Sequence, residues 1–311
     1  TYILRIEDTD QERKVEGAVE AIYRTLDIAG MDYDEGPDKD AGYGPYVQSE
    51  RKDLYAPYAH KLVELGGAHY CFCAEREKQV DEEGNEIIAK FEDPCKHIPL
   101  DEAKRRVAAG EPYVIRQTIN KKGKSQYEDK VYGTIEIDYD ELDEGVLLKS
   151  DGFPTYNFAN VIDDHLMNVT HVVRGSEYLP STPKYNLMYD TFGWERPVYV
   201  HLPPVMKDAT HKLSKRNGDA SFQDLVAKGY LPEAIINYIA LLGCSFGDEE
   251  ILTLDQLIEK FDKAFSDMNA SKIKVGKYRR ELSCLYFQHI DKFLDASTDE
   301  VLEYFASVTD E

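Results

Sequence analysis

Two tight pairs of soft and borderline donors carry the clearest chemistry in the chain: Cys71-Phe72-Cys73 and Cys95-Lys96-His97, with 21 residues between them. Thiolate and imidazole suit Zn2+, and four such groups can close a tetrahedron around it. A site of that kind keeps no open position, so it would be structural, clamping a small subdomain that lacks a core of its own. The expected metal ligands are Cys71, Cys73, Cys95 and His97. The competing reading is three buried cysteines and a surface histidine near Pro94. C-x-C is less diagnostic than C-x-x-C, and the matched C-x-H pair favours the metal. Cys244 and Cys284 fall in helical patterns and read as inert core residues.

Three further groups could act on a phosphorylated or zwitterionic substrate. His211-Lys212-Leu213-Ser214-Lys215-Arg216-Asn217-Gly218 follows a strand pattern at 198–202 and precedes a helical one at 221–228. Its cations and hydroxyl suit a phosphate clamp, able to neutralise charge on a transferring phosphoryl group. A solvated lysine-rich face is the plainer alternative, but the position after a strand is where open α/β sheets bind ligands. Arg5-Ile6-Glu7-Asp8-Thr9-Asp10 also ends a strand pattern, where carboxylates can receive an ammonium group or a ribose hydroxyl. Asp10 or Thr9 could equally cap the next helix. In Tyr156-Asn157-Phe158-Ala159-Asn160 and Asp163-Asp164-His165, the polar positions recur at helical spacing and can share a face. Arg174, closing a strand pattern ahead of Gly175-Ser176-Glu177-Tyr178, could fork onto a carboxylate. His165 beside two aspartates reads as a structural hydrogen-bonding group.

These residues need a scaffold, and the patterning supplies one. Residues 2–6 read as a strand; Val15, Ala18, Ile22 and Leu26 form one apolar helical face closed by Gly30. A second helix opens near Ser49-Glu50-Arg51, carries Leu54, Tyr58, Leu62 and Leu65, and stops at Gly66-Gly67. After a helix near 101–109 come strands at 113–119 and 133–138. From 145 strand and helix alternate: Val146-Leu147-Leu148, 155–168, 169–173, 181–192 and 198–202. That alternation argues for a parallel sheet with crossover helices. Residues 221–308 read as helical. The expected organisation is an α/β domain at 1–67 and 146–220, an inserted α+β subdomain at 68–145, and a helical domain at 221–311.

Composition fits an ordinary folded protein. Over 311 residues, 42% are hydrophobic and 31% charged, which excludes a disordered chain. The net charge of −22 disfavours indiscriminate nucleic-acid binding, so a polyanionic partner would need a local basic surface. Five cysteines argue against a disulfide framework, and no apolar run reaches the ~18 residues of a membrane helix. A soluble, cytoplasmic protein with no membrane partner is expected.

Taken together, the motifs resemble the glutamyl-tRNA synthetase family of class I aminoacyl-tRNA synthetases. The resemblance rests on Arg-Ile-Glu-Asp-Thr-Asp (5–10), Gly-Pro-Tyr-Val-Gln-Ser-Glu-Arg (44–51) and Lys-Ser-Asp-Gly-Phe-Pro-Thr-Tyr (149–156). It rests equally on Asn160 with 161–165, Arg174 to Tyr178, and Lys212-Leu213-Ser214-Lys215-Arg216, similar to the family's Lys-Met-Ser-Lys-Ser signature. It covers about residues 1–262. It implies a Rossmann-type parallel sheet whose first βα unit lies upstream, a zinc-bearing insertion that meets the tRNA acceptor end, and a helical stem-contact domain. The implied reaction joins glutamate to the α-phosphate of ATP with Mg2+, releases pyrophosphate, and passes the glutamyl group to tRNA(Glu). By position, Glu7 would hold the substrate amino group and Tyr156, Asn160 and Arg174 would line the glutamate pocket. Glu177 and Tyr178 would lie at the nucleotide, Lys215 on the ATP phosphates, and Lys212 and Ser214 would order that loop. A monomer is expected.

Two features depart from the family. No His-x-Gly-His occurs in the chain, which opens on Thr1 inside a strand pattern, so the nucleotide site is expected to be only partly present and the chain as printed inactive. Ser271 to Arg280 also departs from the family pattern; its cations could contact tRNA phosphates or form an exposed helix face. Two rivals remain. Glutamyl-queuosine tRNA(Asp) synthetases share the core, though the intact Lys-Leu-Ser-Lys-Arg and the material after 221 weigh against them. The other is a non-catalytic, zinc-stabilised tRNA-binding fragment.

Overall fold

The computed structural model describes residues 2–9, 17–73, 93–204, 221–243 and 249–260. In chain order it runs α1 (Ala18–Ile28), α2 (Lys52–Glu64), β1 (Ala68–Cys71), α3 (Leu100–Ala108), β2 (Val114–Gln117), β3 (Lys124–Asp129), β4 (Gly133–Asp138) and β5 (Val146–Leu148). It continues α4 (Tyr156–Leu166), β6 (His171–Gly175), α5 (Thr182–Phe192), β7 (Val198–Leu202), α6 (Phe222–Ala227) and α7 (Pro232–Gly243). Short 3-10 segments lie at Gln48–Arg51, Pro94–His97, Tyr139–Glu141 and Ser176–Ser181.

The strands form two sheets. In one, β1, β2 and β5 pair antiparallel; in the other the order is β4-β3-β7-β6. β6 and β7 run parallel, with Arg174 beside His201, and α5 is their crossover. β3 and β4 form an antiparallel hairpin that meets β7 through Asp129 and Tyr199. Each sheet therefore draws strands from both sides of position 145. The α/β class expected from sequence is the class the structure has.

The helices pack where their apolar faces meet. Tyr55, Ala59 and Leu62 of α2, Phe158, Ala159 and Ile162 of α4, and Tyr185, Met188 and Tyr189 of α5 form one buried cluster with Ile115, Leu147 and Leu148. Burying each large side chain contributes about 1.5–3 kcal/mol. The buried face of α2 is rotated from the one read in the sequence: Leu54 is 40% and Leu65 48% exposed, whereas Tyr55 and Ala59 are fully buried. Tyr55 turns inward because its hydroxyl donates to buried Asp163. Gly66, with φ 82°, closes α2 in the left-handed conformation that glycine tolerates best. In α1 no side chain is fully buried.

Three sequence expectations shift. Residues 2–6 are not a continuous strand: Ile3 bridges Glu35 and Ile6 bridges Val47, both parallel, so the segment pairs with two separate stretches. α1 starts at Ala18, after Gly17 in a left-handed turn, and Val15 lies outside the described residues. β3 escaped the reading because Ser125 and Asp129, two of its three buried positions, are polar. The helical expectation for 221–308 is met at α6, α7 and 254–260; the remainder lies outside the described residues. Among the described residues no helix is long and apolar enough to cross a membrane.

Candidate active site

The end of the first strand pattern enters an ionic cluster. Arg5 Nη2 donates to Glu7 Oε1 at 2.8 Å, and its Nη1 pairs with Asp164 Oδ1 at 2.9 Å. Burial works against the Arg5 cation, but Asp164 and Glu7 outweigh it, so the guanidinium is held more firmly charged than usual. Burial conversely pushes the Asp164 carboxyl up, partly offset by Arg5. Asp8 accepts from the Ser49 backbone N–H and hydroxyl at 2.8 and 2.7 Å, so it caps the turn at Gln48–Arg51. Of the two caps considered from sequence for the next helix, Thr9 does not cap α1, which follows Gly17 with no side-chain cap, and Asp10 lies outside the described residues.

Asp163 is a buried hub that the sequence had grouped with Tyr156 and Asn160 on one helical face. It accepts from Arg51 Nε at 2.8 Å, Gln48 Nε2 at 2.9 Å and the Tyr55 hydroxyl at 2.8 Å. Arg51 Nη1 also donates to the carbonyls of Tyr43 and Pro45, tying the loop before α2 to α4. This hub holds the acidic strand end against α4. It went unread because Arg51 and Gln48 resemble ordinary surface residues of a helix start.

Across α4 the remaining polar groups converge. The Tyr156 and Tyr178 rings lie with centroids 6.0 Å apart. Burial pushes the Tyr156 hydroxyl above its ordinary value, and the Glu7 charge adds to that; the Arg5 bonds to Glu7 and Asp164 hold the acidic strand end against the same helix. Asn160 adjoins the Tyr156 and Tyr185 hydroxyls, and its buried Oδ1 has no hydrogen-bond partner among the described residues. A buried acceptor left open in this way is costly unless a ligand fills it. The Arg174 guanidinium sits 5.0 Å from the Tyr178 ring centre and 4.8 Å from that of Tyr185. Glu177 is exposed and folds its carboxylate back toward Gly175. Glu7, Tyr156, Asn160, Arg174 and Tyr178 thus border one region, with Glu177 at its rim. Lys212, Ser214 and Lys215 lie outside the described residues. His165 stacks on Trp194 at 3.6 Å between ring centres, so it is held by ring packing and not by the hydrogen bonding expected from its two aspartate neighbours.

Away from this region, Cys71, Cys73, Cys95 and Asp93 bring one donor atom each within 4.8 Å of one another. Cys73 and Cys95 Sγ are 3.7 Å apart. The sequence reading had His97 as the fourth donor; in the structure Asp93 stands among the sulfurs, because it caps the turn at Pro94–His97 by accepting from the Cys95 N–H at 2.9 Å. Burial would raise the Asp93 carboxyl, yet hydrogen bonds from Cys71, Cys95 and His69 hold it at about 2. Burial and the neighbouring thiols push Cys73 up to about 12, so a thiolate there needs a cation beside it. Three thiols and a carboxylate form a donor set that suits Zn2+.

Known proteins sharpen the picture. A family model for class I tRNA synthetases (E and Q), catalytic domain, matches residues 1–277. A glutamate–tRNA ligase from Clostridium botulinum (strain Eklund 17B / Type B) is 53% identical over 302 residues, spanning 93% of this chain and 62% of the relative. One from Clostridium tetani is 54% identical over 300 residues, with the same two coverages. The fold superposes on a crystal structure of a glutamate tRNA ligase from Elizabethkingia meningosepticum in complex with its amino acid, with TM-score 0.73 and 33% identity, covering 98% of this chain and 65% of that one. A glutamate-tRNA synthetase structure from Elizabethkingia anophelis gives TM-score 0.72 at 32% identity, covering 98% of this chain and 66% of that one. The chain spans less than two thirds of the length of these curated relatives.

Proposed function

The chain belongs to the class I tRNA synthetases for glutamate and glutamine, and from that premise we propose that its protein attaches glutamate to tRNA(Glu) through glutamyl-adenylate. The observation that carries this reading is one polar wall: Tyr156 and Tyr178 face each other at 6.0 Å, Arg174 lies 5.0 Å from the Tyr178 ring, and the buried Asn160 Oδ1 on the same helix as Tyr156 has no hydrogen-bond partner among the described residues.

In this reading Glu7 receives the substrate ammonium group, and Tyr156, Asn160 and Arg174 surround the rest of the amino acid. Glu177 and Tyr178 border the nucleotide, Lys215 meets the ATP phosphates, and Lys212 and Ser214 order the loop that carries it. A carboxylate oxygen of glutamate attacks the α-phosphorus of ATP as the bond to pyrophosphate breaks. A terminal ribose hydroxyl of tRNA then attacks the acyl carbon, and AMP leaves with the electron pair of the mixed anhydride. No side chain need act as nucleophile; the protein supplies orientation and a charged environment. Mg2+ accompanies ATP. The thiols of Cys71, Cys73 and Cys95 would hold Zn2+ with a fourth donor from the Asp93–His97 turn, and the ion would clamp β1 to that turn. The His-Ile-Gly-His segment would come from residues ahead of Thr1, and the site of action would be the cytoplasm.

The test is ATP–pyrophosphate exchange and aminoacylation by the protein carrying its encoded sequence upstream of Thr1, with tRNA(Glu), tRNA(Gln) and tRNA(Asp) supplied separately. Glutamate-dependent exchange and charging of tRNA(Glu) are expected. Charging of tRNA(Asp) alone, or no exchange at all, contradicts the proposal. Metal analysis should show about one zinc per chain, lost in Cys71→Ser and Cys95→Ser; a full zinc complement in both variants refutes the assigned site.

A further inference from the structure

Arg174 is not free to choose its orientation. Its Nε donates to His201 Nε2 at 3.1 Å, and its Nη2 donates to Thr182 Oγ1 at 2.8 Å. The Thr182 hydroxyl lies 2.9 Å from the Tyr178 carbonyl and 3.3 Å from His201 Nε2, both acceptors for its one proton, and toward the donor-only guanidinium of Arg174 it accepts. His201 is fully buried, and on its far side Nδ1 lies 2.7 Å from Asp129 Oδ2. Asp129 is buried as well and is saturated with donors: the N–H groups of Val131 and Tyr132 on Oδ1, and that of His201 on Oδ2. Burial alone would raise this carboxyl, but the hydrogen bonds from His201, Tyr132 and Val131 hold it below the ordinary range.

This arrangement admits one imidazole tautomer. Asp129 can only accept, so Nδ1 carries the proton; Nε2 then presents its lone pair to the Arg174 N–H. The pairing of Arg174 with His201 in the β6–β7 register makes this contact possible, and β3 delivers Asp129 from the opposite side. With Nε and one edge of Nη2 taken by the protein, Nη1 is left with no hydrogen-bond partner among the described residues.

We propose that His201 and Asp129 are positioning residues that fix the Arg174 guanidinium, by tautomer control, so that its Nη1 edge is offered to an anionic group of the substrate. This rests on Arg174 bordering the glutamate site, as proposed above. A guanidinium whose fork is fixed in advance loses less freedom on binding a carboxylate than a mobile one. An imidazole suits this place because its two ring nitrogens reach opposite partners, Asp129 on one side and Arg174 on the other.

The experiment has two arms on the upstream-extended protein. In the first, histidine ring 15N spectra without substrate are expected to show His201 as the Nδ1–H tautomer, and as Nε2–H in Asp129→Asn, whose amide donates toward the ring. A wild-type ring with Nε2 protonated overturns the proposal, whatever the protein's activity. In the second, Asp129→Asn is expected to raise the KM for glutamate at least tenfold while the KM for ATP stays within twofold. His201→Gln, which keeps an acceptor for Arg174 Nε, should bind glutamate at least threefold more tightly than His201→Leu. Equal rises in both substrates' KM values, or no rise in either, overturn it; a protein that uses no glutamate but shows the expected tautomer refutes the ligase reading alone.

Discussion

Two buried carboxylates serve the same pocket by different means. Asp163 on α4 meets a guanidinium directly, with Arg51 Nε at 2.8 Å, two neutral donors beside it and a second guanidinium, Arg5, at 4.0 Å. Asp129 at the end of β3 meets only backbone N–H groups and an imidazole, and the cation it serves, Arg174, stands one ring further on. The first centre is a brace: it fixes α4 against α2 and the loop at Tyr43–Pro45, and both charges are consumed there. The second is a relay: its negative charge is satisfied internally, which leaves the arginine's positive charge for a ligand. The contrast shows how one protein can bury two acids at a single site and have only one of them neutralise the local cation.

Removing Asp163 should do the most damage. Asp163→Ala leaves Arg51 buried without its counter-charge, and a loss of about 3–5 kcal/mol in unfolding free energy is expected by urea titration. A loss below about 1 kcal/mol would mean that water or another acid replaces the brace. Arg174→Lys should be milder for the fold but marked for binding. A lysine cannot reproduce the fork, and losing one charge-assisted hydrogen bond of about 1.5–3 kcal/mol predicts a glutamate KM roughly 10- to 100-fold higher. An unchanged KM would leave the relay with nothing to serve. The smallest effect concerns acid. Asp129 is held below its ordinary value, so its stabilisation is complete above the unfolded-state value of about 4 and fades as the pH falls through the native one. Asp129→Asn should therefore flatten the acid limb of stability against pH below about 4. An unaltered acid limb would show that other carboxylates govern it.

The two centres were unequally legible in sequence. Asp163 was visible as part of a polar helical face with Tyr156 and Asn160, although its partners Gln48 and Arg51 were not, because they sit 112 or more residues away in the chain. Helical spacing also could not tell that Asp163 turns toward α2 while Tyr156 turns toward Glu7. Nothing in the reading flagged Asp129, whose strand has polar residues at two of three buried positions. The available signal was His201, a titratable residue inside the apolar run Val198–Leu202, which needed a buried partner. Around β1 and the Pro94–His97 turn, the spacing of Cys71, Cys73 and Cys95 was enough to find the cluster, whereas Asp93 enters only through its capping of the turn. Elements with strong apolar periodicity, such as α4, α5 and β7, were found within about two residues. The face of α2 was misread by one position because Tyr55 is drawn inward by a hydrogen bond rather than by apolar pattern.

The central claim is that Glu7, the wall from Tyr156 to Arg174 and the Lys215 loop enclose one substrate. A crystal structure of the upstream-extended protein with a non-hydrolysable glutamyl-adenylate analogue tests it most directly. The account predicts the analogue's ammonium group on Glu7, its acyl portion against Tyr156, Asn160 and Arg174, and its phosphate mimic beside Lys215. An analogue bound with its amino group away from Glu7, or with Lys215 on a different surface, contradicts it.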